Sequence, residues 1–163
     1  FDALLMPFGG SQVRKLSQLM GSYGLTGDRV QRLGTGLWDD ATLASEPSLN
    51  GAWFAAPDPN LRRDFERRYA ELYGTAPPRL ATLAYDAASL AAVLARTGQS
   101  RTGRPAFDRE SITNPNGFAG IDGIFRFRPD GLAERGLAVL EFSNGGIHVR
   151  DPAPATLQKL TGY

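Results

Sequence analysis

The sequence predicts an α/β protein that is built on a parallel sheet and ends in a β meander. Short apolar segments alternate with helical segments in the first part of the chain, as expected for βαβ units with right-handed crossovers. Residues 80–97 repeat apolar side chains at three- and four-residue spacing and are apolar nearly all round, which predicts a buried helix. From Gly120 onward the period changes to the alternation that is typical of strands.

The first part of the chain contains three predicted strands. Residues 3–8 form an apolar run that Gly9-Gly10-Ser11 closes, and apolar residues at helical spacing follow up to Gly21. Residues 31–34 form the second strand and residues 51–56 the third. These segments therefore predict the order strand, helix, strand, loop, strand.

Two helices and a short third one are predicted next. Asp58 and Pro59 form a helix start with an N-cap and a proline at the first position, and Gly74 ends that helix. The buried helix at 80–97 follows, and Gly98 is predicted to stop it. We expect residues 99–105 to be a mobile loop and residues 107–113 to be a short helix that Asp108 caps. Four residues of the long helix are predicted to be buried: Leu83, Ala87, Leu90 and Leu94.

The last part of the chain reads as one β meander. Phe125 and Phe127 alternate with arginines, and Pro129-Asp130-Gly131 then forms a turn. Residues 137–142 and 147–149 are predicted strands that Asn144-Gly145 joins.

Composition excludes several classes of function. Among 163 residues, 18 basic groups are offset by 17 acidic ones, so a net charge of +1 provides no attraction to nucleic acid or an anionic membrane. The absence of cysteine excludes a thiol nucleophile, a disulfide and a cysteine-based zinc site. No apolar run reaches the roughly 20 residues that cross a bilayer, and no signal peptide is visible. Because the chain opens on Phe1 within an apolar segment, we expect it to be part of something longer.

The sequence contains no set of residues that indicates an enzyme, a metal site or a cofactor. The only histidine, His148, lies in the last predicted hairpin without a nucleophile motif and is expected to face solvent. The carboxylates of Asp39, Asp40, Asp58 and Asp130 lie at turns and caps and lack metal-ligand spacing. Gly9-Gly10-Ser11 could present helix amides to an anion, but it lacks the dinucleotide fingerprint and the P-loop lysine.

The carboxyl ends of the first two strands are the candidate ligand site, because open parallel sheets bind ligands there. Trp38 lies in a glycine-flanked loop and is predicted to be either a lid over a pocket or an anchor to another lobe. Tyr85 and Asp86, in the long helix, are either packing and capping groups or part of a site. The candidate ligand-binding residues are Phe8, Gly9, Gly10, Ser11, Gly36, Trp38, Asp39 and Tyr85.

The order of motifs resembles the C-terminal half of type I periplasmic binding proteins, the leucine/isoleucine/valine-binding-like receptors of ABC transporters. The segments that carry the resemblance are FDALLMPFGG, LGTGLWDD, GAWFAAPDP, FERRYAELYGTAPP, LATLAYDAASLAAVLAR and GIDGIFRFRPDG. Lipoprotein activators of penicillin-binding proteins, which share the fold, are also similar.

The resemblance implies two Rossmann-like lobes. Residues 1–57 and 136–163 would form the C-terminal lobe, and residues 58–135 would form the remainder of the N-terminal lobe with the hinge crossings. The first half of the N-terminal lobe would be absent. The implied function is a periplasmic receptor that delivers a small polar ligand, an amino acid or amide-like, to an ABC permease. The alternative is an envelope lipoprotein domain that activates a peptidoglycan synthase, lipid-anchored through a missing N-terminus.

The chain departs from the amino-acid-binding pattern at one position that the resemblance makes important. Phe8 or its glycine neighbours align with the aromatic residue after the first strand, but Gly36 aligns with the acid after the second. An ammonium left unpaired in a closed cleft costs several kcal/mol. Asp39 is the nearby substitute, and it either replaces that acid or caps the following helical turn.

Overall fold

The computed structural model describes residues 1–157, which form two compact units. The first unit contains residues 1–57 and 137–153, and the second contains residues 58–136 and the segment from Pro154. The chain thus passes between the units after Pro57, after Gly136 and before Pro154. The assignment of the units to the C-terminal and N-terminal lobes stays a prediction.

The chain is a mixed α/β protein, as predicted. The elements in chain order are β1 (Ala3–Leu5), α1 (Gly10–Ser22), β2 (Gln31–Gly34), α2 (Ala41–Ala44), β3 (Trp53–Ala56), α3 (Pro59–Tyr73), α4 (Ala81–Thr102), α5 (Arg109–Ile112), β4 (Phe118–Gly120), β5 (Gly123–Phe127), β6 (Ala133–Arg135), β7 (Ala138–Ser143) and β8 (Gly146–Asp151). None of the helices in residues 1–157 is both long and apolar enough to cross a membrane.

The first unit contains a five-stranded sheet in the order β1-β2-β3-β7-β8. β1, β2 and β3 are parallel, which confirms the predicted parallel sheet, and β7 and β8 add to it as an antiparallel hairpin beside β3. The second unit contains a separate antiparallel sheet, β4-β5-β6. The single meander predicted for the end of the chain is therefore wrong, because strand alternation does not reveal which sheet a strand joins.

An aromatic cluster forms the centre of the first unit. The ring of Trp38 lies 6.2 Å from Phe54 and 6.0 Å from Phe142, and the two phenylalanine rings lie 4.9 Å apart. β7 alternates buried and half-buried residues, so Phe142 and Leu140 face this core together. Val13 of α1 packs into the same cluster and holds the helix on the sheet.

The helix starts of the second unit follow the local sequence signals. The Asp58 carboxylate accepts a hydrogen bond from the backbone N–H of Asn60 at 2.8 Å, and Pro59 occupies the first turn of α3. α3 ends at Gly74, whose φ of 71° is the left-handed conformation that glycine adopts without strain. Asp108 caps α5 as predicted, by accepting from the N–H of Ser111 at 2.9 Å.

α4 is longer than the sequence predicted. Gly98 does not stop it, and residues 99–102, expected to be a mobile loop, are helical up to Gly103. Gly98 is buried where the returning chain crosses the helix, and a Cβ there would overlap the backbone of Arg104 and Ala106. This glycine is thus required for close packing and not for termination.

The predicted burial of α4 is wrong for half of its apolar stripe. Leu94 is buried and Leu90 is half-buried, but Leu83 is 43% exposed and Ala87 is also exposed. The buried face contains Thr82 and Asp86 instead, because both side chains bond to polar groups beneath the helix. When apolar residues lie on every side of a helix, any face can pack in the core, so the sequence does not predict which face is buried.

Candidate functional site

The loops that follow β1 and β2 meet at one edge of the first sheet, as parallel neighbouring strands require. We call residues 6–10 and 35–40 the strand-end loops. The indole Nε1 of Trp38 donates a hydrogen bond to the backbone carbonyl of Phe8 at 2.7 Å. A Cβ at Gly9 would lie only 3.1 Å from the Cβ of Leu37, so the two loops are in contact.

Trp38 is fully buried, and the prediction that it forms a lid or an anchor to another lobe is wrong. Residues 36–38 form a 3₁₀ turn that directs the indole inward, and Gly34 leaves the space that the ring occupies. The indole packs against the rings of Phe54 and Phe142, which are distant from Trp38 in sequence. Trp38 therefore touches the neighbouring loop through the Phe8 carbonyl, and a role for it in ligand binding stays a prediction.

The accessible surface of the strand-end loops is apolar at two points. Phe8 is 45% exposed and Leu37 is 62% exposed, whereas Gly9 and Gly10 are half-buried between them. Leu37 was not among the predicted ligand-binding residues. Adjacent residues of a tight helical turn point in different directions, so Leu37 is exposed because Trp38 is buried.

Free backbone donors lie beside this apolar surface. α1 begins at Gly10 with Gly9 as its N-cap, and no side chain caps it. No acidic residue lies in its first turn, and Ser11 is exposed there. The N-terminus of a helix carries unpaired N–H groups and a partial positive charge, which favour an anionic or carbonyl oxygen. The edge therefore combines apolar contacts with donors for such an oxygen.

The sequence left two roles open for Asp39: replacement of the missing acid, or capping of the following helical turn. The carboxylate of Asp40 caps α2 by accepting from the N–H of Thr42 at 2.8 Å. The hypothesis that Asp39 provides this cap is therefore wrong. Asp39 is half-buried at the end of the 3₁₀ turn, where its own N–H donates to the carbonyl of Gly36 at 3.2 Å. Its role as the substitute for the acid that Gly36 lacks stays a prediction.

Buried polar groups tie α1 and β2 to the segments that precede β2 and β3. Arg32 of β2 is buried and donates to the carbonyls of Leu25, at 3.0 Å, and Ser48. Burial lowers the pKa of this guanidinium from its usual value. Ser17 of α1 donates to the same Ser48 carbonyl at 2.8 Å. These contacts join α1 and β2 to one loop carbonyl, and the sequence alone gave no signal for them because the partners are distant in the chain.

Tyr85 lies in the second unit, at the N-terminal end of α4. Its ring packs edge-on against Phe65 at 5.4 Å and remains half exposed. Asp86 is buried and accepts a hydrogen bond from the N–H of Ile121 at 2.7 Å, so it is a packing group. A joint role of Tyr85 with the strand-end loops stays a prediction.

Within residues 1–157, no group of three or more histidine, cysteine or acidic residues is arranged to hold a metal ion. His148 is exposed on β8, as predicted.

The chain is similar to a known protein family. The profile of the family described as periplasmic binding protein matches residues 1–146. A comparison with curated proteins gave no match.

Several solved structures share the fold. A putative branched-chain amino acid ABC transporter protein from Rhodospirillum rubrum is 18% identical, with a TM-score of 0.76 over 91% of this chain and 44% of that chain. A leucine-binding protein from Thermotoga maritima is 24% identical, with a TM-score of 0.60 over 91% and 43%. A solute-binding protein from R. palustris in complex with benzoate is 21% identical, with a TM-score of 0.60 over 94% and 44%. The present chain thus spans less than half the length of these proteins.

Proposed function

This chain belongs to the periplasmic binding protein family, and we propose that it is part of a periplasmic receptor that delivers a small polar ligand to an ABC permease. The observation that carries this proposal is the pairing of the strand-end loops at the carboxyl edge of a parallel sheet. That edge is accessible, and it combines the exposed side chains of Phe8 and Leu37 with the uncapped N-terminus of α1.

The chemistry of the edge favours a ligand with a carboxylate or amide oxygen and an apolar body. Backbone N–H groups at Gly10 and Ser11 would receive the oxygen, and Phe8 and Leu37 would contact the apolar part. Amino acids and amides meet this description, as does benzoate, which the solved R. palustris protein binds. An ammonium group on the ligand would need an acid, and Asp39 is the residue we propose for it.

Isothermal titration calorimetry tests the proposal, with leucine, a neutral amide and benzoate as separate titrants on the natural full-length protein. We expect heat from at least one titrant, and weaker binding of all of them in Phe8→Ala because that surface contacts the apolar body. Asp39→Asn should weaken leucine alone by about 1.5–3 kcal/mol, the worth of a charge-assisted hydrogen bond. Asp2→Asn, an exposed carboxylate outside these loops, serves as the control. No heat from any titrant would contradict the receptor proposal.

The burial of Trp38 favours a second candidate, an envelope lipoprotein domain that binds and activates a peptidoglycan synthase. The largest aromatic group near the edge is withdrawn into the core, which leaves fewer side chains for a ligand. A pull-down with a purified peptidoglycan synthase tests this candidate, and retention of the synthase without any ligand heat would select it. Lipid anchoring of the protein belongs to the same prediction.

A further inference from the structure

Asparagine is followed directly by glycine at three places in the chain, and this pair of residues is chemically labile. The pairs are Asn50-Gly51, Asn116-Gly117 and Asn144-Gly145. The backbone nitrogen of the glycine can attack the side-chain carbonyl carbon of the asparagine, because glycine has no Cβ that obstructs the approach. The three pairs are alike in sequence, so a difference in their reactivity must come from the fold.

The fold holds the glycine nitrogen of the first two pairs. The N–H of Gly51 donates to the carbonyl of Phe142 at 2.7 Å, and the N–H of Gly117 donates to the carbonyl of Asn114 at 2.9 Å. Both glycines are half-buried. A backbone nitrogen that is engaged in this way becomes available only when the structure opens locally. The folded protein therefore protects these two pairs.

The third pair lacks this protection. Asn144 and Gly145 form the two-residue loop between β7 and β8, and Ser143 pairs with Gly146 beneath it. Their φ angles of 51° and 73° are both positive, as in the type I′ turn that joins hairpin strands. Both residues are exposed, and the N–H of Gly145 donates to no acceptor in residues 1–157. The nitrogen of Gly145 is thus available without any local opening.

We propose that Asn144 is a site of spontaneous deamidation in the folded protein. The nitrogen of Gly145 forms a bond to Cγ of Asn144 while the bond from Cγ to Nδ2 breaks, and ammonia leaves with the proton of the Gly145 N–H. Water then opens the cyclic imide. Opening at Cγ gives aspartate, whereas opening at the backbone carbonyl carbon gives isoaspartate, in which the main chain runs through Cγ.

The two products should affect the first unit differently. Aspartate followed by glycine is also a favoured pair in type I′ turns, so the hairpin accommodates aspartate. Isoaspartate lengthens the main chain of the loop by a methylene group, which disturbs the pairing of Ser143 with Gly146. Phe142 precedes this turn, and its ring packs 4.9 Å from Phe54 in the aromatic cluster. We therefore expect isoaspartate, and not aspartate, to weaken the first unit.

Peptide mapping by mass spectrometry tests the site on the natural full-length protein after incubation in mildly alkaline buffer. Asn144 should deamidate at least about tenfold faster than Asn50 or Asn116, because those two react only after local opening. The same incubation in urea is the control, and the three pairs should then react at similar rates because the fold no longer protects two of them. Reaction of Asn50 or Asn116 in the folded protein at the rate of Asn144 would overturn the proposal.

Asn144→Gly tests the structural consequence. This variant removes the reactive amide and keeps the turn, because two glycines also suit type I′ geometry. After incubation, urea unfolding should show a less stable fraction in the wild type that matches its isoaspartate content, and no such fraction in Asn144→Gly. Freshly prepared Asn144→Asp should unfold like fresh wild type. Equal losses in wild type and Asn144→Gly, or an isoaspartate form as stable as fresh wild type, would overturn the proposed effect.

Discussion

Each of the two units of this protein is stabilised by a different kind of buried residue. The first unit buries an aromatic and aliphatic cluster that includes Trp38, Phe54 and Phe142. The buried apolar side chains of the second unit in the described residues are Leu94, Phe125 and Leu157, fewer than its buried polar ones. Those polar residues are Arg62, Thr82, Asp86 and Asp122.

The polar residues of the second unit fasten α4 to the turn between β4 and β5. Asp122 accepts hydrogen bonds from the Thr82 hydroxyl at 2.7 Å and from Arg79 at 3.2 Å. Asp86 accepts from the N–H of Ile121 and forms an ion pair with Arg135 at 3.5 Å. This network fixes one side of α4 and leaves apolar faces accessible. The first unit is therefore stabilised mainly by apolar burial, whereas the second relies more on buried polar contacts and leaves more of its apolar side chains exposed.

The largest expected effect follows from the aromatic cluster. Trp38→Ala should lower the free energy of unfolding by about 3–5 kcal/mol, because it leaves a cavity against Phe54 and Phe142. Urea unfolding followed by circular dichroism measures the change. Trp53→Ala is the matched control, since that ring is half-buried and stacks against the Arg150 guanidinium at 4.0 Å. Equal losses from both variants would contradict the central role of Trp38.

The second prediction concerns the polar network of the second unit. Asp122→Ala should cost about 2–3 kcal/mol, because it removes charge-assisted hydrogen bonds from Thr82 and leaves Arg79 without this partner. The same urea unfolding measures it. Asp130→Ala removes an exposed carboxylate that pairs with Arg128, and it should cost less than about 1 kcal/mol. If Asp122→Ala is as mild as the control, the network does not hold α4.

Local signals in the sequence predicted most elements of both units. β2 occupies residues 31–34 as predicted, and α3 starts at Asp58-Pro59 because capping chemistry is local. The pairing of the two strand-end loops also follows from sequence, since parallel strands end at the same edge of a sheet.

Apart from the cap that Asp40 provides in place of Asp39, the errors concern contacts between distant parts of the chain. The inward position of Trp38 depends on Phe142, which is far away in sequence. Gly98 was predicted to end the helix, because the sequence does not reveal that the returning backbone packs against it. The exposed face of α4 could not be predicted, because periodicity identifies an apolar face without identifying its cover.

A smaller, pH-dependent effect is expected at Glu46 in the first unit. The Ser48 hydroxyl donates to its carboxylate at 2.8 Å, and this bond is the main reason that its pKa lies below the usual 4.5. Gln18 and Arg14 contribute further. A lowered folded-state pKa gives stability that is present above the unfolded pKa and is lost as pH falls through the folded one.

Glu46→Gln should therefore cost about 1 kcal/mol at pH 7 and progressively less in acid. Urea unfolding of both proteins at neutral pH and near pH 3 measures the difference. A gap between wild type and variant that widens as pH falls would contradict this assignment.

The smallest effect is expected on the exposed face of α4. Leu83→Asp should change the free energy of unfolding by less than about 1 kcal/mol, because the residue is 43% exposed. Leu94→Asp, on the buried face of the same helix, should cost several kcal/mol. If both substitutions are equally destabilising in urea unfolding, then α4 is covered on the face that the structure leaves open.

Native-state hydrogen exchange, read by mass spectrometry, tests the contrast between the two units most directly. We expect the amides of β3 and β7 to exchange at least about a hundredfold more slowly than those of α3 and α4. Exchange of α4 at the same rate as β3 would contradict the account, because it would mean that the second unit is as firmly closed as the first.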